Sequence, residues 1–286
     1  MPIRRVVGAP GSPEEYSLMS REELRPRGLR QRIEAGETTL GSWMSLGSAG
    51  VAEVMAGAGF DWLVIDLEHT AISLGAAEAM IRVLDLKRVP ALVRLSSNDP
   101  VQIKRVLDTG AHGIIVPSVN SAEEARRAVR AAHYPPLGNR GVGLGRAQGY
   151  GPGFEEYLAW SREEIVVILQ IEHAAGVENL EEILDVPRVS GTIIGPYDLS
   201  GSIGKPGQME HVEVTSLLDR YQEVSASKGK AMGYHVIEPS AEAVQTRISQ
   251  GYTFLAFSTD FLFLGTSCRN EMTQLLQDPH FHREGD

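Results

Sequence analysis

Short apolar runs alternating with segments of helical period constrain this chain more than any other feature of its sequence. Three times a helical stretch ends at a glycine, an aromatic residue or histidine follows, and an apolar strand begins. This happens at Gly59-Phe60 before DWLVID, at Gly110-Ala111-His112 before GIIVPSV, and at Gly251-Tyr252 before TFLAFSTD. Glycine at a helix C-cap feeds the short turn that leads into a strand. Eight strand candidates result: 39–46, 61–68, 90–96, 113–119, 165–172, 189–196, 230–236 and 253–259. A helical stretch follows each, for example SAEEARRAVRAAHY (121–134) and AAGVENLEEILDVP (174–187).

Continuous apolar strands alternating with helices mean a parallel sheet covered by helices. Eight such units in 286 residues, near the roughly 250 typical of a one-domain α/β barrel, predict a (β/α)8 TIM barrel. We expect it over residues 31–286, preceded by an N-terminal extension at 1–30. A doubly wound sheet is the second architecture. No G-x-G-x-x-G follows the first strand, and the glycine run GVGLGRAQGYG (141–151) sits in a loop, a weak phosphate signal.

The net charge of −10 argues against a nucleic-acid partner, which requires clustered Lys and Arg on phosphates. A single cysteine, Cys268, excludes internal disulfides and fits a reducing compartment. No apolar run reaches the ~18–20 residues of a membrane span, and no signal-peptide h-region opens the chain. Seven arginines lie between residues 4 and 32, but Glu14, Glu15, Glu22 and Glu23 are mixed among them, which suits a solvated lead-in. The reading is a cytoplasmic protein with no membrane partner.

Active sites of such barrels lie at the C-terminal ends of the strands, so polar residues there are catalytic candidates. DWLVIDLEHT runs from an apolar strand directly into Asp66, Glu68 and His69. ALVRLSS carries Arg94, EIVVILQIEH ends with Gln170, Glu172 and His173, and GTIIGPYDLS ends with Tyr197 and Asp198. Strands 4, 7 and 8 offer less: Pro117-Ser118, His235 to Glu238, and Asp260. Glu172 and Asp198 would end adjacent strands about 4.8 Å apart. Two carboxylates that close repel, unless a divalent cation such as Mg²⁺ or Mn²⁺ lies between them. The bland alternative is a pair of helix N-caps, which suits Asp198 better than Glu172 because Glu caps poorly. Arg94 is either a structural ion pair with Asp66 or Glu68, or a donor to an anionic substrate oxygen. His69 is either a core histidine or a base titrating near neutrality. Asp108 either orients His69 or faces solvent. Of five lysines, only Lys205 has any prospect of reaching the barrel mouth, so imine chemistry is disfavoured.

GAGFDWLVIDLEHT, VRLSSNDPVQIKRVLDTGAHGIIVPSV, YPPLGNRGVG, LQIEH and IIGPYDLSGSIGKPG together resemble the 4-hydroxy-2-oxoheptanedioate / 2-dehydro-3-deoxyglucarate aldolase family. These are metal-dependent pyruvate aldolases on a phosphoenolpyruvate-mutase type of barrel. The likeness runs from about Thr39 to about Leu276. It implies a class II aldolase that cleaves a 4-hydroxy-2-oxo acid to pyruvate and an aldehyde with Mg²⁺, Mn²⁺ or Co²⁺. By resemblance, Glu172 and Asp198 hold the metal, Arg94 contacts the 2-keto oxygen, and Gln170 lines the pyruvate pocket. His69 is the acid–base residue, partnered by Asp108. The resemblance also implies a homo-oligomer, a dimer that exchanges its last helix and assembles into a hexamer. The apolar FLFLGTSCRNEMTQLL (261–276) is compatible with that. Leu67 replaces a glycine of the family pattern and Tyr197 a smaller residue; both departures bear on the acceptor aldehyde and not on the pyruvate half-site. Two other classes stand beside this one: a barrel lyase acting on phosphoenolpyruvate or an acyl-CoA ester, and a non-catalytic scaffold.

Overall fold

The computed structural model describes residues 28–278 and 280, so the extension expected over 1–30 falls outside it apart from its last three residues. Eight parallel strands close into a barrel in sequence order. They are β1 (Thr39–Met44), β2 (Trp62–Asp66), β3 (Ala91–Arg94), β4 (Gly113–Val116), β5 (Val166–Ile171), β6 (Gly191–Ile194), β7 (Ala231–Val236) and β8 (Phe254–Thr259). Each lies inside its expected range. The helices run α1 (Leu29–Glu34), α2 (Ala49–Ala56), α3 (Leu74–Leu86), α4 (Pro100–Asp108), α5 (Ala122–Ala132) and α6 (Phe154–Glu164), then α7 (Ala174–Glu178) and α8 (Leu180–Leu184). After β6 come α9 (Pro196–Ser202), α10 (Val212–Ser227), α11 (Ala241–Ser249) and α12 (Asp260–Leu275). Among the described residues no helix is long and apolar enough to cross a membrane.

Alternation along the strands divides the core into two shells. Inside the barrel pack Trp43, Trp62, Val64, Leu92, Ile168 and Phe254 with their neighbours. Leu29 and Ile33 of α1 join this cluster and close the N-terminal end. The opposite strand faces meet the helices through a second, larger set of aliphatic residues. The Trp62 indole stacks on Phe254 at 4.1 Å and donates to Thr39 Oγ1 at 3.1 Å. A Cβ at position 41 would lie 2.1 Å from the Trp62 ring, so only glycine fits in β1 there. An apolar, filled barrel floor leaves the C-terminal mouth as the place where polar side chains can meet a ligand.

Candidate active site

Period-two alternation carries the inward face of each strand into the mouth. In β2 the inward residues Trp62 and Val64 are followed at the same parity by Asp66 and Glu68. In β3 Leu92 is followed by Arg94, and in β5 Val166 and Ile168 by Gln170 and Glu172. Register completes the arrangement: Asp66 lies opposite Arg94 across β2 and β3. The guanidinium grips that carboxylate with two bonds, Nε to Oδ1 at 2.9 Å and Nη2 to Oδ2 at 2.6 Å. Its Nη1 also lies 3.2 Å from Glu68 Oε2. The ion pair open in the sequence is therefore present, and Arg94 still lines the cavity.

Glu172 is buried just beyond β5. Its Oε2 accepts from both the backbone N–H and the Oγ of Ser118, each at 2.9 Å, and its Oε1 accepts from Gln170 Nε2. Ser118, one residue past Pro117, has φ 54, a left-handed conformation that aims both donors at one oxygen. On the other side stands Gly195, where a Cβ would be 2.9 Å from Glu172 Cγ. Neither carboxylate is a helix N-cap: His173 caps α7 and Gly195 precedes α9, with Asp198 in the first turn of α9. Asp198 is exposed and lines the same cavity as Arg94 and Gln170. That cavity has a volume of about 350 Å³.

The mouth carries an excess of negative charge. Asp66 and Glu68 both pair with the Arg94 guanidinium, and Glu172 lies close enough to Glu68 to repel it. Burial pushes the Glu68 carboxyl up to about 7; Arg94 opposes the rise and repulsion from Glu172 adds to it. Gln170 Oε1 is buried without a hydrogen-bond partner. Among the described residues no three His, Cys, Asp or Glu side chains form a ready metal cage. Two carboxylates with the remaining positions left to water and substrate is the donor set a Mg²⁺-like cation accepts. The donor set and the charge imbalance fit a divalent cation on Glu172 and Asp198.

His69 stands at the rim with its side chain 65% exposed, Nε2 3.6 Å from Glu68 Oε2. Asp108 does not meet it within the chain. As the last residue of α4 it lies at the opposite, N-terminal end of the barrel, where Arg140 Nη2 donates to Oδ1 at 2.6 Å and Gln148 Nε2 at 3.0 Å. The glycine run 141–151 is part of this same structural corner, with Arg146 tied to the Thr109 carbonyl at 2.8 Å. His235, given little weight in the sequence, and Trp43, not singled out in it, also belong to the mouth. His235 stacks on Trp43 at 4.7 Å, and Arg94 lies over the same indole at 5.2 Å. Burial lowers the His235 pKa to about 4, although its contact with the Ser258 carbonyl works the other way, so the ring is neutral at neutral pH. Strand parity marks both: Trp43 is inward after Gly41, and His235 after Gly233.

Residues 39–266 match the family model HpcH/HpaI aldolase/citrate lyase. The chain belongs to that family. It is an enzyme of the carbon–carbon lyase class. It is 42% identical over 233 residues to a 4-hydroxy-2-oxovalerate aldolase of Rhodococcus jostii (strain RHA1), a match covering 81% of this chain and 89% of that protein. It is 38% identical over 234 residues to a 4-hydroxy-2-oxo-heptane-1,7-dioate aldolase of Escherichia coli, covering 81% and 88%. Among solved structures, an HpcH/HpaI aldolase/citrate lyase family protein from Burkholderia cenocepacia J2315 superposes with a TM-score of 0.81 at 31% identity, covering 87% of this chain and 98% of that one.

Proposed function

We propose that this lyase is a divalent-cation-dependent, class II aldolase that reversibly cleaves a 4-hydroxy-2-oxo acid into pyruvate and an aldehyde. The observation that carries the reading is the excess of carboxylates at the mouth: Asp66 and Glu68 share the one charge of Arg94, Glu172 repels Glu68, and Asp198 stands on the wall of the adjoining cavity. Glu172 and Asp198 would hold Mg²⁺, Mn²⁺ or Co²⁺. When bound, the cation supplies Lewis-acid polarisation of the 2-keto group.

The chain's own residues do the rest. Arg94, oriented by its two bonds to Asp66, is preorganised to donate to the keto oxygen as negative charge develops there. Losing one such donor typically costs ~10²–10³ in rate. Gln170 borders the same pocket and holds Glu172. In cleavage His69 takes the proton of the 4-hydroxyl, the C3–C4 bond breaks toward C3, and a proton returns to C3 to give pyruvate. Asp108 can orient His69 only from a neighbouring subunit. The exposed apolar stripe of α12 supports a homo-oligomer, which we take to be dimer-based and hexameric with that helix exchanged. A cytoplasmic setting fits the single cysteine.

Pyruvate alone tests the reading, because proton removal from C3 needs no aldehyde. In D₂O with Mn²⁺ or Mg²⁺ the methyl signal should disappear by proton NMR, and chelation with EDTA should stop the loss. A methyl signal that persists at the uncatalysed rate under saturating metal refutes the pyruvate-aldolase assignment. Chemistry on phosphoenolpyruvate or an acyl-CoA ester requires no such exchange.

A further inference from the structure

The cavity that begins at Arg94 and Gln170 does not end at the barrel mouth. It continues between α9 and α11, where its wall is built from Tyr197, Tyr234 and Arg247. Tyr234 points outward from β7, opposite in parity to His235, and Arg247 lies two turns along α11. The Arg247 guanidinium stacks over the Tyr234 ring at 4.0 Å. Its Nη2 donates to Tyr234 Oη at 3.1 Å and its Nη1 to Gln250 Oε1 at 2.8 Å. Both partners are neutral, and among the described residues no carboxylate pairs with it. The contrast with Arg94 is plain, since that charge is already offset by Asp66 and Glu68. The carboxylates that line this cavity, Asp198 beside Tyr197 on α9 and Glu238 after β7, are exposed and form no ion pair with Arg247.

A half-buried guanidinium held in a fixed orientation by neutral partners, facing a cavity, is built to receive an anion. We propose that Arg247, with Tyr234 as its platform, binds a distal anionic group, carboxylate or phosphate, on the aldehyde acceptor. The inference rests on the aldolase reading for the word acceptor. Arg94 and Gln170 would take the pyruvate half at one end, and Arg247 would fix the far end of the other half. A volume of about 350 Å³, near the lower limit of ordinary ligand sites, restricts such an acceptor to a short chain. Uncharged aldehydes would leave the guanidinium with no counter-charge and be taken less well.

Unreactive probes test this apart from catalysis. Isothermal calorimetry would measure glutarate against 1,5-pentanediol, and glycerol 3-phosphate against glycerol, on the unaltered protein and on Arg247→Gln. At least one anion should bind more tightly than its uncharged counterpart, and lose about tenfold or more in affinity in the variant. The tighter anion identifies carboxylate or phosphate as the preferred group. Equal binding of charged and uncharged probes by the unaltered protein overturns the proposal, even if the variant does not fold. Anion binding that survives in a folded Arg247→Gln overturns it too, because the anion then sits elsewhere, for example at Arg94. Pyruvate proton exchange by the unaltered protein reports separately on the aldolase reading. Exchange without the charge preference removes only the Arg247 site, and the charge preference without exchange removes only the aldolase assignment.

Discussion

Ser118 contributes two of the three hydrogen bonds that hold Glu172, and it does so from a left-handed backbone. Ser118→Ala removes the hydroxyl and leaves the N–H in place. Supporting bonds to a ligating carboxylate are typically worth about 10–100-fold in metal affinity. A Mn²⁺ titration of the variant should show a loss in that range, and an unchanged affinity would show that Ser118 does not support the metal site. Glu68 gives a prediction with a definite sign. Its pKa rises from 4.5 to about 7 on folding, chiefly because it is buried. The folded state therefore holds this proton more tightly than the unfolded chain. The resulting destabilisation is absent below 4.5, grows between 4.5 and about 7, and is complete above that. Glu68→Gln should raise the melting temperature of metal-free protein at pH 8 and do much less at pH 4.5. Saturating Mg²⁺ should narrow the pH 8 difference, since a cation near Glu172 relieves the repulsion. A uniform shift across that pH range would refute the assignment. Of this site, Asp66, Glu68, Arg94, Gln170 and Glu172 were legible because they are polar residues at or near the C-terminal ends of apolar strands. The Asp66–Arg94 grip depends on register, and the aim of Ser118 on a dihedral angle, and neither is written in residue order.

At the scale of elements, alternation of apolar runs with helical periods was enough for all eight strands, because every strand is buried on both faces. The ends were less legible. β1 to β6 stop short of their expected ends because the last residues bend into the mouth, as Leu67 and Glu68 do after Asp66, whereas β7 and β8 end where expected. The single helical stretch expected at 174–187 is two helices that meet at Asn179. The corner formed by α4, α6 and residues 133–153 was also hidden, since nothing in the glycine run says what it packs on. There Arg140 is buried between the rings of Tyr134 and Tyr157, at 4.6 and 5.3 Å, and bonds Asp108 and Tyr157 Oη. Removing one member of a buried charged pair typically costs about 3–5 kcal/mol. For a chain of this size that corresponds to a melting point lower by about 10 °C. Arg140→Ala should show this by calorimetry. A melting point within 2–3 °C of the parent would mean the corner contributes little to stability.

The whole molecule leaves two features that a single chain does not complete. Along α12, Phe263 packs on Phe60 and Phe257, at centroid distances of 6.4 and 5.2 Å. Phe261, Leu264, Met272, Leu275 and Leu276 of that helix and its end remain 46–57% exposed. An apolar stripe of that kind marks an association surface. The second feature is the separation of Asp108 from His69. The nine residues of α4, about 13 Å of helix, carry Asp108 away from the mouth, and no rotamer returns it. If Asp108 orients His69, it does so from a second subunit, and each site then draws on two chains. That arrangement has a consequence absent from any one-chain site. His69→Ala and Asp108→Asn should each show little pyruvate proton exchange alone. The second substitution is Asn so that Arg140 keeps an acceptor. Mixed in equal amounts and allowed to exchange subunits, the two should regain activity. Random assembly gives about a quarter of the sites one intact residue from each partner. The recovery should grow with the time allowed for subunit exchange and be absent in a sample mixed just before the assay. Mixed oligomers no more active than the mean of their parents would show that Asp108 acts within its own chain, as a structural partner of Arg140 alone.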